Sequence, residues 1–281
     1  MEQIGNLFNT TILGPILNLL ILIYKMLESI NMPGALGFAI VVLTVAIRLL
    51  IWPTTKAQLK SAQKMMELKP LLDQLKEKHK ADKMALQRSQ MQLYKEHNIN
   101  PAAGCLPILI QFPLFIGLYQ SIINMFPTAG GGNLDFINAL LYHPWLHLNK
   151  IPDPNFFGLN LALKPSDATV MLFFVPLVTA VLTFVQSKMM MPKSMKHYKA
   201  DTPKETKEKE SMEDMMGAMQ GQMVYLMPVM IGYFAFQFPV GLAIYWNTFT
   251  ILGIIQQYRI SGWGGAGDLI GKIKVGSRSP R

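Results

Sequence analysis

The sequence predicts an all-α, polytopic membrane protein. Its expected parts are a five-helix transmembrane core, a cytosolic helical hairpin and an N-terminal interfacial helix. Three observations lead there. Only 15% of the residues are charged and 51% are hydrophobic, whereas about a quarter are charged in soluble domains. The apolar residues fall in blocks near the roughly 20 residues that cross a bilayer. Of the 26 lysines and arginines, 10 lie in 55–100, 7 in 188–222 and 5 from Arg259 onward, so the basic charge alternates with the blocks.

The elements follow in chain order. In residues 1–33 the apolar stretch Thr11 to Ile30 is interrupted by Pro15, Asn18, Lys25 and Glu28, which favours a helix lying in the extracytoplasmic interface over a sixth span. Glu2 is the one charge before Lys25, so no cleavable signal peptide is expected. The first span, 34–54, contains VVLTVAIRLLIWP with Arg48 inside it. An arginine near the centre of a membrane helix costs roughly 2.5 to 3.5 kcal/mol on insertion scales. In 55–100, Leu59, Ala62, Met66, Leu72 and Leu75 recur at helical spacing. Pro70 is expected to kink this first arm. Ala81-Asp82 breaks it, with Asp82 as the cap of a second arm through Met84, Gln87, Met91 and Tyr94.

The second span is 104–125. The loop 126–167 holds Gly130 to Gly132 and the aromatics Phe136, Trp145, Phe156 and Phe157, and should form short interfacial segments. The third span is 168–188, followed by a polar, mobile cytosolic loop over 189–222. Residues 223–237 and 239–258 form an apolar run too long for one pass. Pro239 and Gly241 break it into two spans. The basic tail 259–281 is glycine-rich and expected to be disordered. Lysine and arginine mark cytosolic segments, so the hairpin, the second polar loop and the C-terminus face the cytosol and the N-terminus faces out.

Signals for covalent chemistry are poor. The single cysteine, Cys105, excludes an intramolecular disulfide. His143 and His147 are separated by Pro144 and lack an evident third ligand. The spans contain no Asp, Glu or His. No catalytic residue, metal, cofactor or DNA partner is expected. The spans do contain a sparse polar set: Thr44 and Arg48 one turn apart, Gln111, the stripe Thr179–Thr183–Gln186, and Trp246 beside Asn247. Arg48 lies four residues from Trp52 and has the alternative of snorkelling to the headgroups. The others have the alternative of bonding between helices.

Five stretches, in order, carry a resemblance: VVLTVAIRLLIWP (41–53), LKPLLDQLKEKHK (68–80), NPAAGCLPILIQFPLFIGLYQSI (100–122), LTFVQSKMM (182–190) and LMPVMIGYFAFQFPVGLAIYWN (226–247). From about Gly34 to Tyr258 the chain resembles the YidC/Oxa/Alb family of membrane-protein insertases. The resemblance implies five helices around a groove that opens to the cytosol and to lipid and is closed outside. It assigns client contact to Arg48, Thr44, Gln111, Gln186 and Trp246, and client recruitment to the hairpin from Thr55 to His97. It implies a bacterial plasma-membrane location, with nascent membrane proteins and lipids as partners and the ribosome and secretory translocon as further candidates. Neither the large extracytoplasmic domain of Gram-negative-type members nor the N-terminal lipobox cysteine of Gram-positive members is expected, since Cys105 is the single cysteine. The alternative, a small-solute transporter or channel, would call for inverted repeats and paired intramembrane charges.

Overall fold

The structure, a computed structural model, describes residues 5, 7–79, 82–99, 106–126, 132–167, 173–191 and 212–267. Cys105, Ala81, Gly130 and Gly131, the opening of the expected third span at 168–172, the loop segment 192–211 and the tail from 268 lie outside them.

The described chain is nearly all helix. A π-helical turn, Asn9–Leu13, leads into α1, Gly14–Ser29. Pro15 sits in the first turn of α1, where its missing N–H is no loss. The residues that interrupt the apolar run of α1 are occupied by the loop segment 132–151. Asn18 donates to Leu140 O at 2.9 Å and accepts from Tyr142 N at 2.7 Å. Lys25 Nζ donates to the carbonyls of Trp145 and His147, and Glu28 pairs with Lys150 at 3.3 Å.

α2 is Ala35–Leu50 and α3 is Trp52–Glu67. Their axes differ by 62° across Ile51. Lysine-rich α3 is followed by α4, Lys69–Lys78, and α5, Lys83–Glu96. Pro70 does not bend a continuous helix: the chain breaks at Leu68 and Pro70 lies in the first turn of α4. Asp82 caps α5, accepting from Ala85 N at 2.9 Å.

α6, Leu106–Met125, contains Pro113. The loop after it holds α7, Leu134–Leu140, and a two-residue hairpin of β1, Asn155–Phe156, and β2, Leu159–Asn160. Its turn places Phe157 and Gly158 at φ 50° and 83°. Gly34 and Gly37, at the start of α2, leave room for the Phe156 ring, which meets Phe38 edge to face at 5.2 Å. β2 leads to Leu161 and Leu163, whose carbonyls accept from Gly241 N and Val240 N at the opening of α10, Val240–Ser261.

α8 is Phe174–Met189 and α9 is Met212–Gln237. α9 begins well before the expected span at 223, inside the segment read as a mobile loop. Met, Glu, Ala and Gln dominate its first turns, and these are strong helix formers whatever their polarity. The glycine-rich segment after α10 also departs from expectation. It turns back onto the end of α8, with Gly265 N donating to Met191 O at 2.8 Å. A Cβ at Gly264 or Gly265 would strike the backbone of 188–191, so the glycines permit a close approach rather than disorder.

α10 is the spine, packed against α2 and α8, and α9 lies along α8. The interior has two ends. At the loop end, Leu17, Leu20, Ile21, Leu36, Ile40, Leu118, Ile122, Ile137, Leu161 and Val240 form one apolar core. At the hairpin end the buried residues include Thr44, Arg48, Thr55, Gln58, Thr179, Thr183, Gln256 and Gln257. Among the described residues, one helix, Asn9–Ser29, is by itself long and apolar enough to cross a membrane, and the bent pair α2–α3 passes together. Pro228 interrupts α9, polar residues such as Asn247, Gln256 and Gln257 dilute α10, and the apolar parts of α8 and α9 are short.

Candidate functional site

The site is organised by α10. Position 253 is glycine, and a Cβ there would lie 2.8 Å from an Arg48 guanidinium nitrogen and closer still to the Gln186 carboxamide. The absent side chain lets α2 and α8 bring Arg48 and Gln186 together over one point of α10. One turn earlier, the Phe249 ring lies 4.2 Å beneath the Arg48 guanidinium carbon. Such cation–π stacking contributes roughly 0.5 to 2 kcal/mol, more when desolvated. Arg48 also sits in the last turn of α2, where the helix dipole favours a cation.

Arg48 is only 5% exposed, and its Nε has no hydrogen-bond partner. Glu28 on α1 pairs with Lys150 of the loop, and among the described residues no carboxylate pairs with Arg48. An unneutralised buried cation is strongly unfavourable without compensating dipoles. The Phe249 face supplies part of this; at Gly253 the nearest atom of Gln186 is Nε2, a donor.

The other expected residues divide. Thr44 is fully buried one turn above Arg48, but its hydroxyl donates to Ile40 O at 2.6 Å within its own helix. Gln111 Nε2 donates to the buried Tyr245 hydroxyl at 2.5 Å, and Gln111 Oε1 is buried without a partner. Trp246 stands edge to face with Phe115 at 5.8 Å, in an aromatic group with Tyr119 and Phe238. Arg48 and Gln186 thus share one point, whereas Gln111 and Trp246 are held on the α6 side of α10. Thr179 and Thr183 bond back to Val175 O and Thr179 O. Asn247 Oδ1 is a further buried, unpartnered acceptor.

Sequence reasoning missed Tyr245, Phe249 and Gly253, and the cluster below them. Gln256 Nε2 donates to Thr55 Oγ1 at 2.7 Å and to Trp52 O at 3.1 Å, tying α10 to the start of α3. A signal was present: Tyr245, Phe249 and Gly253 recur every four residues on one face of α10, and a glycine inside a helix asks what packs against it. Among the described residues no group of three His, Cys, Asp or Glu could hold a metal.

Fold and site define a class: a helical protein built around one buried cation that no described carboxylate of the chain neutralises. The chain belongs to the 60Kd inner membrane protein family, whose model matches residues 27–264, that is, the YidC/Oxa/Alb family of insertases. It is 33% identical over 250 residues to membrane protein insertase YidC 1 of Halalkalibacterium halodurans, covering 87% of this chain and 77% of that protein. It is 32% identical over 224 residues to membrane protein insertase YidC of Maridesulfovibrio salexigens, covering 79% of this chain and 34% of that protein. A YidC from Geobacter sulfurreducens is 30% identical over 231 residues, 82% of this chain and 34% of its own length. The chain therefore spans about a third of the length of the last two relatives.

Proposed function

We propose that the protein is a membrane-protein insertase of the bacterial plasma membrane. It passes short polar tails of client proteins across the bilayer and releases their apolar segments into lipid. The observation that carries this reading is the convergence of Arg48 and Gln186 on Gly253, with no carboxylate among the described residues paired to the cation. Its counter-ion is then the acidic or polar tail of the client, held transiently. Arg48, Thr44, Gln111, Gln186 and Trp246 form the client-contacting groove, and the unpartnered polar atoms of Gln111 and Asn247 offer it further bonding sites. Burial of the client's apolar segment drives release. The membrane potential adds roughly 2.3 kcal/mol per negative charge moved outward across 100 mV. No nucleotide or covalent step is required.

In this reading α2, α6, α8, α9 and α10 are the five spans, and α3 to α5 are the cytosolic, client-recruiting hairpin. α1 lies along the extracytoplasmic face; its contacts with the loop run from Asn18 through Lys25 to Glu28. The lysines of 55–100 and the basic C-terminus favour a cytosolic position for those segments. Nascent membrane proteins and lipids are the partners, and the ribosome and the secretory translocon the candidates for assistance.

Reconstitution tests the proposal. The purified chain in liposomes should insert a short single-span client without any other protein. Failure to insert, together with a small-solute flux across the same liposomes, would overturn it in favour of a transporter.

A further inference from the structure

A cleft of about 530 Å³ opens at the bend between α2 and α3, lined by Leu49, Trp52, Pro53, Ile255 and Arg259. Its walls are apolar and open to the outside of the molecule: Leu49 is 62% and Ile255 43% exposed. Arg259, also exposed, has no carboxylate partner among the described residues. The cleft is built rather than incidental. Gln256, next to Ile255, donates to the Trp52 carbonyl and to Thr55, so the two walls are fastened together. The cleft sits at the 62° turn at Ile51, with Pro53 in its lining.

We propose that this cleft binds one phospholipid with an anionic headgroup. The proposal rests on the membrane-embedded reading above. The chemistry separates along the cleft: Arg259 offers the headgroup phosphate a charge-assisted bond, Leu49 and Ile255 offer an acyl chain an apolar wall, and Trp52 suits the boundary between them. Charge selects the anionic lipid. α3 leaves the cleft carrying Lys56, Lys60 and Lys64, all exposed and one turn apart, with no carboxylate before Glu67. A bound lipid would seat the base of the hairpin against the leaflet without entering the Arg48 site.

The test uses the full chain in detergent, titrated with phosphatidylglycerol or phosphatidylcholine and read by native mass spectrometry. Phosphatidylglycerol should be retained in preference to phosphatidylcholine. Arg259→Gln should weaken its binding on the order of fivefold. Ile255→Ser should weaken both lipids, and Lys164→Gln neither. Unchanged phosphatidylglycerol affinity in Arg259→Gln overturns the proposal. Displacement of the lipid by equimolar inorganic phosphate also overturns it, assigning the cleft to a soluble anion. The readout needs no client, so a chain that binds lipid but fails to insert a client overturns the insertase reading alone.

Discussion

Gly253 lies directly opposite Arg48: the hydrogen in place of a side chain on α10 makes the room that the guanidinium and the Gln186 carboxamide occupy. The atoms a Cβ would meet are the ends of two flexible side chains. Gly253→Ala should therefore fold, aided by up to about 1 kcal/mol of helix propensity, while pushing Arg48 and Gln186 off their common point. The expected result is an unchanged or raised thermal midpoint with client insertion reduced several-fold. Full insertion activity in a properly folded variant would show that the convergence is not used.

Arg48→Ala should discriminate between clients. Loss of an attraction of about 1.4 kcal/mol slows a step roughly tenfold, so a client with an acidic translocated tail should suffer by about that factor and a neutral one much less. Arg48→Lys keeps the charge but loses the planar stack on Phe249 and should fall between. Parallel insertion assays with the two tails decide it; equal impairment points to snorkelling or a purely structural cation.

The Gln111–Tyr245 bond joins α6 to the spine. Tyr245→Phe leaves the Gln111 amide without this partner beside an oxygen that is already unpartnered. Each single change should lower stability by about 1 to 3 kcal/mol. Gln111→Leu with Tyr245→Phe should be less destabilising than the sum of the two, since both ends of the bond are then removed. A double-mutant cycle on unfolding in detergent measures the coupling, and strict additivity would mean that the bond contributes nothing.

Asn18 bonds the loop at two points, Leu140 O and Tyr142 N. Asn18→Leu strips both backbone groups of a partner, at about 1 to 3 kcal/mol. Faster proteolysis within 134–151 should report α1 coming away from the loop. An unaltered digestion pattern would mean that the apolar core alone holds α1 in place.

What the sequence disclosed was periodic or chemically conspicuous. A permanent cation in an apolar run announced Arg48, and the spacing of Thr179, Thr183 and Gln186 put them on one face. Asp82 was legible as a cap because its role is local. Gly253 was not, because its meaning lies in what two other helices bring to it. Asn18, Lys25 and Glu28 read as defects in an apolar helix, since their partners lie more than a hundred residues away in the chain. The opening of α9 was hidden for a different reason: polarity suggested a loop, whereas methionine, glutamate and glutamine favour helix in any solvent.

The stitching of Leu161 and Leu163 to the first amides of α10, with Phe156 wedged over Gly34 and Gly37, bears on permeability. A polar interior that ran from one face of a membrane to the other would leak protons and dissipate the gradient that powers the cell. In the proposed arrangement the apolar loop end would stand between the Arg48 site and the far side. A host membrane could then carry many copies of this molecule, each with a buried charge in its interior, and still hold its voltage.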